Sequence, residues 1–223
     1  MNITNYLELL RKRPELAAKV SAYPICLNEA ELRAFQDKLG RRVGIIESNV
    51  PYWLVLADVI MPLGEQAFVY ERIVPYKNKC AGTVILPRWT NNDTQEQLYG
   101  LLSISRHAIR QENCWELPRG HMSEDSEVTN GIKELEEEMG VDPSSITSIE
   151  YLGSSYTDTG LTSGKVTFIL VDFSSARPPD GTKGHEGIQQ AFWVTLKQMK
   201  ELIRTQKIVD GMTHNCLLHY LLR

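Results

Sequence analysis

Glu134, Glu137 and Glu138 are the residues whose type and spacing most directly suggest chemistry. On a helix turning by about 100° per residue they fall within an arc of about 100°, while Glu136 points elsewhere. Like charges three or four residues apart repel, so three carboxylates on one face cost stability unless something positive sits over them. A hard divalent cation suits that position, because Mg²⁺ takes oxygen ligands, keeps several waters and is shared between carboxylates and substrate phosphates. A merely solvated acidic face is the competing reading. The segment upstream weighs against it. Pro118-Arg119-Gly120 reads as a turn ending a strand, and a short loop then leads to the acidic helix, so the backbone carbonyls of that turn can face the carboxylates. The helix itself is predicted from Ser126 as N-cap to Gly140 as its stop, with Val128, Ile132, Leu135 and Met139 as one apolar stripe.

Trp115 to Val141, WELPRGHMSEDSEVTNGIKELEEEMGV, resembles the signature of the Nudix hydrolases. That signature runs Gly, five residues, Glu, seven residues, Arg-Glu-aliphatic, one residue, Glu-Glu, one residue, Gly-aliphatic. Lys133 to Val141 matches its second half with Lys for Arg. Asp125 stands where Glu is expected, and the loop from Gly120 is one residue short. Lys133 lacks the planar fork with which Arg would grip a neighbouring carboxylate. The metal-ligand positions are intact: Glu134, Glu137 and Glu138, supported by Asp125 and the backbone carbonyl of Arg119. The strand ending in Arg106 and followed by WELPRG is further similar to the ADP-ribose pyrophosphatase branch. There the resemblance assigns Arg106 and Glu116 to the substrate cleft. An Arg pair such as Arg106 and Arg110 beside a strand end is also ordinary surface chemistry, whereas the functional reading has Arg106 contact phosphate bidentately or stack on a base.

The resemblance extends from about Val43 to Arg223. It implies an α/β fold, the Nudix α/β/α sandwich, for residues 76–223. Residues 1–75 form a small N-terminal region of helices and antiparallel strands, which by analogy supports a homodimer. The chain has 223 residues, 42% hydrophobic, with a formal net charge of −4. Nothing in that balance provides the basic footprint of a nucleic-acid or anionic-membrane partner. Cys26, Cys80, Cys114 and Cys216 are far apart, which argues against a zinc site or disulfide framework and for reduced thiols. No run approaches the roughly 20 apolar residues of a membrane span. The opening residues do not read as a signal peptide, so the expected location is cytoplasmic.

In chain order, residues 4–20 predict a helix broken by Pro14, and Asn28 to Leu39 a second one with Leu32, Phe35 and Leu39 on its apolar face. VGIIES, YWLVLADVIM, QAFVYERIV and CAGTVILP predict an antiparallel meander. LYGLLSISR, SIEYLGSSYTDTG, KVTFILVDF and IQQAFWVTL predict further strands, and two helices close the chain around the turn Asp210-Gly211-Met212-Thr213, part of a phrase, IVDGMT, that also resembles the family. The Gly- and Thr-rich loop from Thr157 to Lys165 reads either as a cover for the cleft or as an ordinary hairpin connection. Arg177 to Gly187 is the longest stretch without periodicity, the kind of loop in which function concentrates.

These readings converge on a pyrophosphohydrolase that uses Mg²⁺, with Mn²⁺ as a substitute, to split a nucleoside diphosphate linked to a further group. ADP-ribose ranks first as substrate, a nucleotide sugar such as GDP-mannose second and a nucleoside triphosphate third. A Nudix-fold ligand-binding module with weak or lost catalysis is the alternative, favoured by Asp125, Lys133 and the short loop. Carboxylates held on a cation are poor proton acceptors, because the cation stabilises their ionised form. The resemblance places the general base in the loop before AFWVTL, where Glu186 is the one glutamate between Arg177 and Val194. Glu137 and His185 are the alternatives, the latter for its ordinary pKa near 6.5. Glu186→Gln is therefore expected to lower kcat by a factor on the order of 10² to 10⁴ with little change in Mg²⁺ affinity. Steady-state kinetics showing kcat within a few-fold of wild type, with Glu137→Gln inactive, would move the base to the helix.

Overall fold

A computed structural model describes residues 2–18, 22–48, 52–76, 80–121, 126–181 and 187–223. The chain divides into two compact units, Met1–Lys79 with Asp158–Gly164, and Cys80–Thr157 with Lys165–Arg223.

In the first unit, α1 (Asn2–Lys12) gives way to a 3₁₀ turn at Pro14–Ala17, because proline cannot supply the N–H that a continuing helix needs. The side chain of Asn28 accepts the N–H groups of Ala30 and Glu31 at 2.9 and 3.3 Å, opening α2 (Glu29–Leu39). Gly40 then ends it at φ 65°. Of its expected apolar face, Leu32 is fully buried and Phe35 packs at the edge of the core, but Leu39 is exposed. Strands β1 (Gly44–Glu47), β2 (Trp53–Ile60) and β3 (Phe68–Pro75) form an antiparallel sheet. The core joins Tyr6, Leu10 and Leu32 to Leu54, Leu56 and Val74. Tyr6 donates a hydrogen bond to buried Asp58 at 2.6 Å, and Arg72 pairs with the same carboxylate at 2.5 Å. The 158–164 segment belongs here, which neither sequence reading of that loop anticipated. Ile73 N–H donates to Leu161 at 2.8 Å, and Ser163 N–H returns to Ile73 at 3.0 Å.

The fourth strand of the expected meander leaves that sheet. It becomes β4 (Cys80–Thr90) of the second unit, with β5 (Gln97–Arg106), β6 (Gln111–Glu116), β7 (Arg119–His121), β8 (Ile146–Tyr156), β9 (Lys165–Ser174) and β10 (Ile188–Val194). The order is β10-β5-β4-β9-β8, with β4 and β9 parallel. Successive residues on these two strands point to opposite faces and feed two cores. Ile85, Ile169, Val171 and Phe173 pack with Leu135 and Met139 of α3 (Glu127–Met139). Val84, Leu86, Phe168 and Leu170 pack with Met199 of α4 (Leu196–Arg204) and with Cys216 and Leu217 of α5 (Gly211–Leu221). The result is a helix-sheet-helix sandwich. Burial pushes the thiols of Cys26, Cys114 and Cys216 above their ordinary pKa, and all three are free. Among the described residues no helix is long and apolar enough to cross a membrane.

The caps of α3 are those expected. Ser126 Oγ accepts the N–H of Thr129 at 3.0 Å, and Gly140 adopts φ 68°. Its buried face differs. Leu135 and Met139 are inside, but Val128 is 41% exposed, and Asn130, Gly131 and Glu138 are buried instead. A Cβ on Gly131 would stand 2.5 Å from Ile169 Cδ1 and 3.2 Å from Thr83 Cγ2. Glycine thus lets α3 lie close against β4 and β9. Gly131→Val is expected to cost about 1–3 kcal/mol through overpacking, read as a lower midpoint in urea at unchanged slope.

Candidate active site

The site begins with a parting of two strands. β5 pairs with β4 only from Tyr99 back to Gln97, opposite Arg88 to Thr90. Beyond that point the same edge of β5 takes β6, from Leu102 to Arg106, and the same edge of β4 takes β7, from Gly82 to Val84. The turn joining the two inserts is Leu117-Pro118 rather than the expected Pro118-Arg119-Gly120, because Arg119 and Gly120 already pair with β4 as part of β7, and Pro118 accepts the N–H of Ile85 at 2.9 Å. The split delivers Glu116, Arg119 and Gly120 to one place.

Two of the three helix carboxylates meet the start of β7 just after that turn. Glu138, only 3% exposed, accepts the backbone N–H of Arg119 at 3.0 Å. Extended backbone sends the N–H and C=O of one residue to the same side, so the Arg119 carbonyl faces the side of Glu138. A Cβ built on Gly120 would overlap the Glu134 carboxyl, so that carboxylate lies directly on the glycine backbone. Glu137 is more exposed, with its carboxylate 4.0 Å from Lys133 Nζ. Lys133 offers it one cationic contact where an Arg fork would offer two. Among the described residues no three His, Cys, Asp or Glu side chains form a group ready to hold a metal. The donors at the turn are nevertheless carboxylate and carbonyl oxygens, the chemistry a hard divalent ion requires. Asp125, His185 and Glu186 lie outside the described residues.

Arg106 and Glu116 are brought together, and each is the other's partner. Arg106 Nε donates to Glu116 at 3.1 Å, and its Nη2 pairs with the second carboxylate oxygen. Burial alone would lower the Arg106 pKa. The hydrogen bonds and charge of Glu116, backed by Asp210 and Glu138, outweigh it and hold the guanidinium above its ordinary value. Glu116 is 2% exposed and takes a second guanidinium from Arg119 at 3.3 Å. Arg119 Nη1 in turn lies 3.4 Å from Asp210. Sequence reading considered Arg119 only for its carbonyl and missed this role of its side chain. It placed Asp210 and Thr213 in a turn but assigned them no role, although an Asp followed three residues later by Thr at a helix start is a capping signal.

The NUDIX domain family model matches residues 83–215, more than half of the 223-residue chain, and the chain belongs to this family of hydrolases of nucleoside diphosphate derivatives. Family members in general use divalent metal ions such as Mg²⁺. The chain is similar to a crystal structure of an ADP compounds hydrolase, with 13% identity, a TM-score of 0.56, and coverage of 81% of this chain and 92% of that one. It is also similar to a C. elegans Ap4A hydrolase binary complex, at 14% identity, TM-score 0.44 and coverage of 63% and 94%. At such identities the first of these likenesses shows the fold alone. No curated protein sequence matches the chain.

Because Gly120 carries no side chain, the Glu134 carboxylate can reach the turn. Gly120→Ala is expected to weaken Mn²⁺ binding about 10- to 100-fold, as loss of a supporting contact does elsewhere. Titration of the substrate-free protein followed by electron paramagnetic resonance checks this, and an unchanged affinity would show that Glu134 holds no metal.

Proposed function

We propose that the chain is an Mg²⁺-dependent pyrophosphohydrolase acting on a nucleoside diphosphate linked to a further group. ADP-ribose ranks first, a nucleotide sugar second and a nucleoside triphosphate third. The observation that carries this reading is the convergence of Glu134 and Glu138 on Arg119 and Gly120 at the start of β7. Those carboxylates and the Arg119 carbonyl would hold the cation, with Glu137 as the third helix carboxylate beside them. The chemistry such an ion would supply when bound is charge neutralisation of the diphosphate and a lowered pKa for a bound water. Arg106 holds a phosphate. Its side chain is 34% exposed, and Nη1 lies beyond the two nitrogens engaged by Glu116. Glu116 orients Arg106 by gripping its other edge. Glu186 accepts the proton of the attacking water, with Glu137 and His185 as alternative bases. Attack breaks one P–O bond of the diphosphate, leaving two monophosphates from ADP-ribose. The catalytic part runs over residues 76–223, and residues 1–75 serve the pairing of two copies into a homodimer.

A second reading, a ligand-binding module without catalysis, draws on Lys133, on Asp125 and on the signature loop that is one residue short. A panel of nucleotide sugars and ADP-ribose, with phosphate released from the products by alkaline phosphatase, separates the two. Triphosphates are followed by pyrophosphate release instead. The enzyme gives product that depends on Mg²⁺ or Mn²⁺; the module binds nucleotide and yields none. Glu138→Gln keeps an acceptor for the Arg119 N–H but removes the charge. It is expected to lower turnover by a factor of about 10² or more with the melting temperature within a few degrees of wild type. Wild-type activity at limiting Mg²⁺ would remove Glu138 from the metal site.

A further inference from the structure

Asp210 and Thr213 open α5, and capping alone does not account for their contacts. Asp210 Oδ2 accepts the Thr213 N–H at 2.8 Å, which is an ordinary cap. The Thr213 hydroxyl also donates to Oδ2 at 2.8 Å, which leaves its own oxygen free to accept the Leu117 N–H at 3.0 Å. Asp210 Oδ1 faces Arg119 Nη1. Thr213 is 0% exposed and Leu117 1%, so no solvent replaces the hydroxyl if it is lost. The turn is thus held at Leu117 and at the Arg119 side chain from the α5 side, and at the Arg119 N–H by Glu138 from the α3 side.

We propose that Asp210 and Thr213 are positioning residues that clamp the Leu117–Arg119 turn and thereby set the direction of the Arg119 carbonyl and the seat of the Glu116–Arg106 pair. This rests on the reading of the turn as a metal and phosphate site. A helix cap with a purely local role would change stability and little else. A clamp changes the geometry in which cation and diphosphate are held, so it acts on kcat and on metal affinity at nearly constant KM.

The test compares Thr213→Val, which removes the hydroxyl at constant shape, with Thr213→Ser, which retains it, and with Asp210→Asn, which keeps a cap acceptor but loses the charge facing Arg119. For each, steady-state kinetics on the best panel substrate are paired with Mn²⁺ titration of the substrate-free protein. Thr213→Val is expected to lower kcat about 10- to 100-fold, the range typical of groups that orient metal ligands, and to weaken Mn²⁺ binding at least threefold, with KM within about threefold. Thr213→Ser restores both. Values for Thr213→Val within about twofold of wild type, or a Ser variant as impaired as the Val variant, would overturn the clamp. If Thr213→Val does not fold, Asp210→Asn decides: a threefold or larger loss in kcat and Mn²⁺ affinity supports the clamp, and wild-type values refute it. If wild-type protein hydrolyses nothing on the panel, the proposed reaction fails, and the Mn²⁺ titrations alone judge the clamp.

Discussion

A carboxylate removed from water loses several kcal/mol of hydration unless partners replace it. Glu116, 2% exposed in the gap between β4 and β5, therefore dictates much of what surrounds it. Arg106 and Arg119 both turn toward it, and Arg119 reaches on to Asp210, so the gap contains a linked chain of alternating charges. Removing Glu116 would take away the paired counter-charge of Arg106, and removing Arg119 would do the same to Asp210. That coupling makes the parting of the strands a defined structure rather than a defect in the sheet.

Helices on opposite faces then act on the same turn. From one face α3 supplies Glu138 to the Arg119 N–H and lays Glu134 over Gly120. From the other, α5 supplies Thr213 to the Leu117 N–H. The close approach of α3 depends on Gly131, and Thr83 reinforces it by donating its hydroxyl to the Glu127 carbonyl at 3.1 Å. The buried face of α3 is consequently half polar. It carries Asn130, Gly131 and Glu138 beside Leu135 and Met139, because it packs against a turn as well as against an apolar sheet.

The first unit applies the same rule with a different outcome. Asp58 is buried in its core, and its oxygens are taken by the Tyr6 hydroxyl and Arg72, which also donates to the Leu16 carbonyl at 2.6 Å. Burial and the neighbouring Asp58 raise the Tyr6 pKa, so the phenol stays protonated as the donor. This network ties α1 and the 3₁₀ turn to β2 and β3. All of its members are engaged with one another, a structural use of charge.

The caps at Asn28, Ser126, Gly40 and Gly140, the break at Pro14 and the strands other than β6 and β7 were legible in the sequence, because capping, proline geometry and alternation act within a few residues. The family was legible for a similar reason, since its signature lies in one contiguous run. Long-range pairing decided the rest. Leaving the meander for a parallel partner 85 residues away in sequence, as Cys80 does with Lys165, has no local signal. Nor has the attachment of residues 158–164 to β3. The exposure of Val128 and Leu39 and the burial of Glu138 depend on what each helix meets. So does the pairing of Arg119 with Glu116 and Asp210. Residue types show which groups can carry charge or bind a cation, but only the packed sheet decides which of them face one another, because that depends on which strand edges are left open.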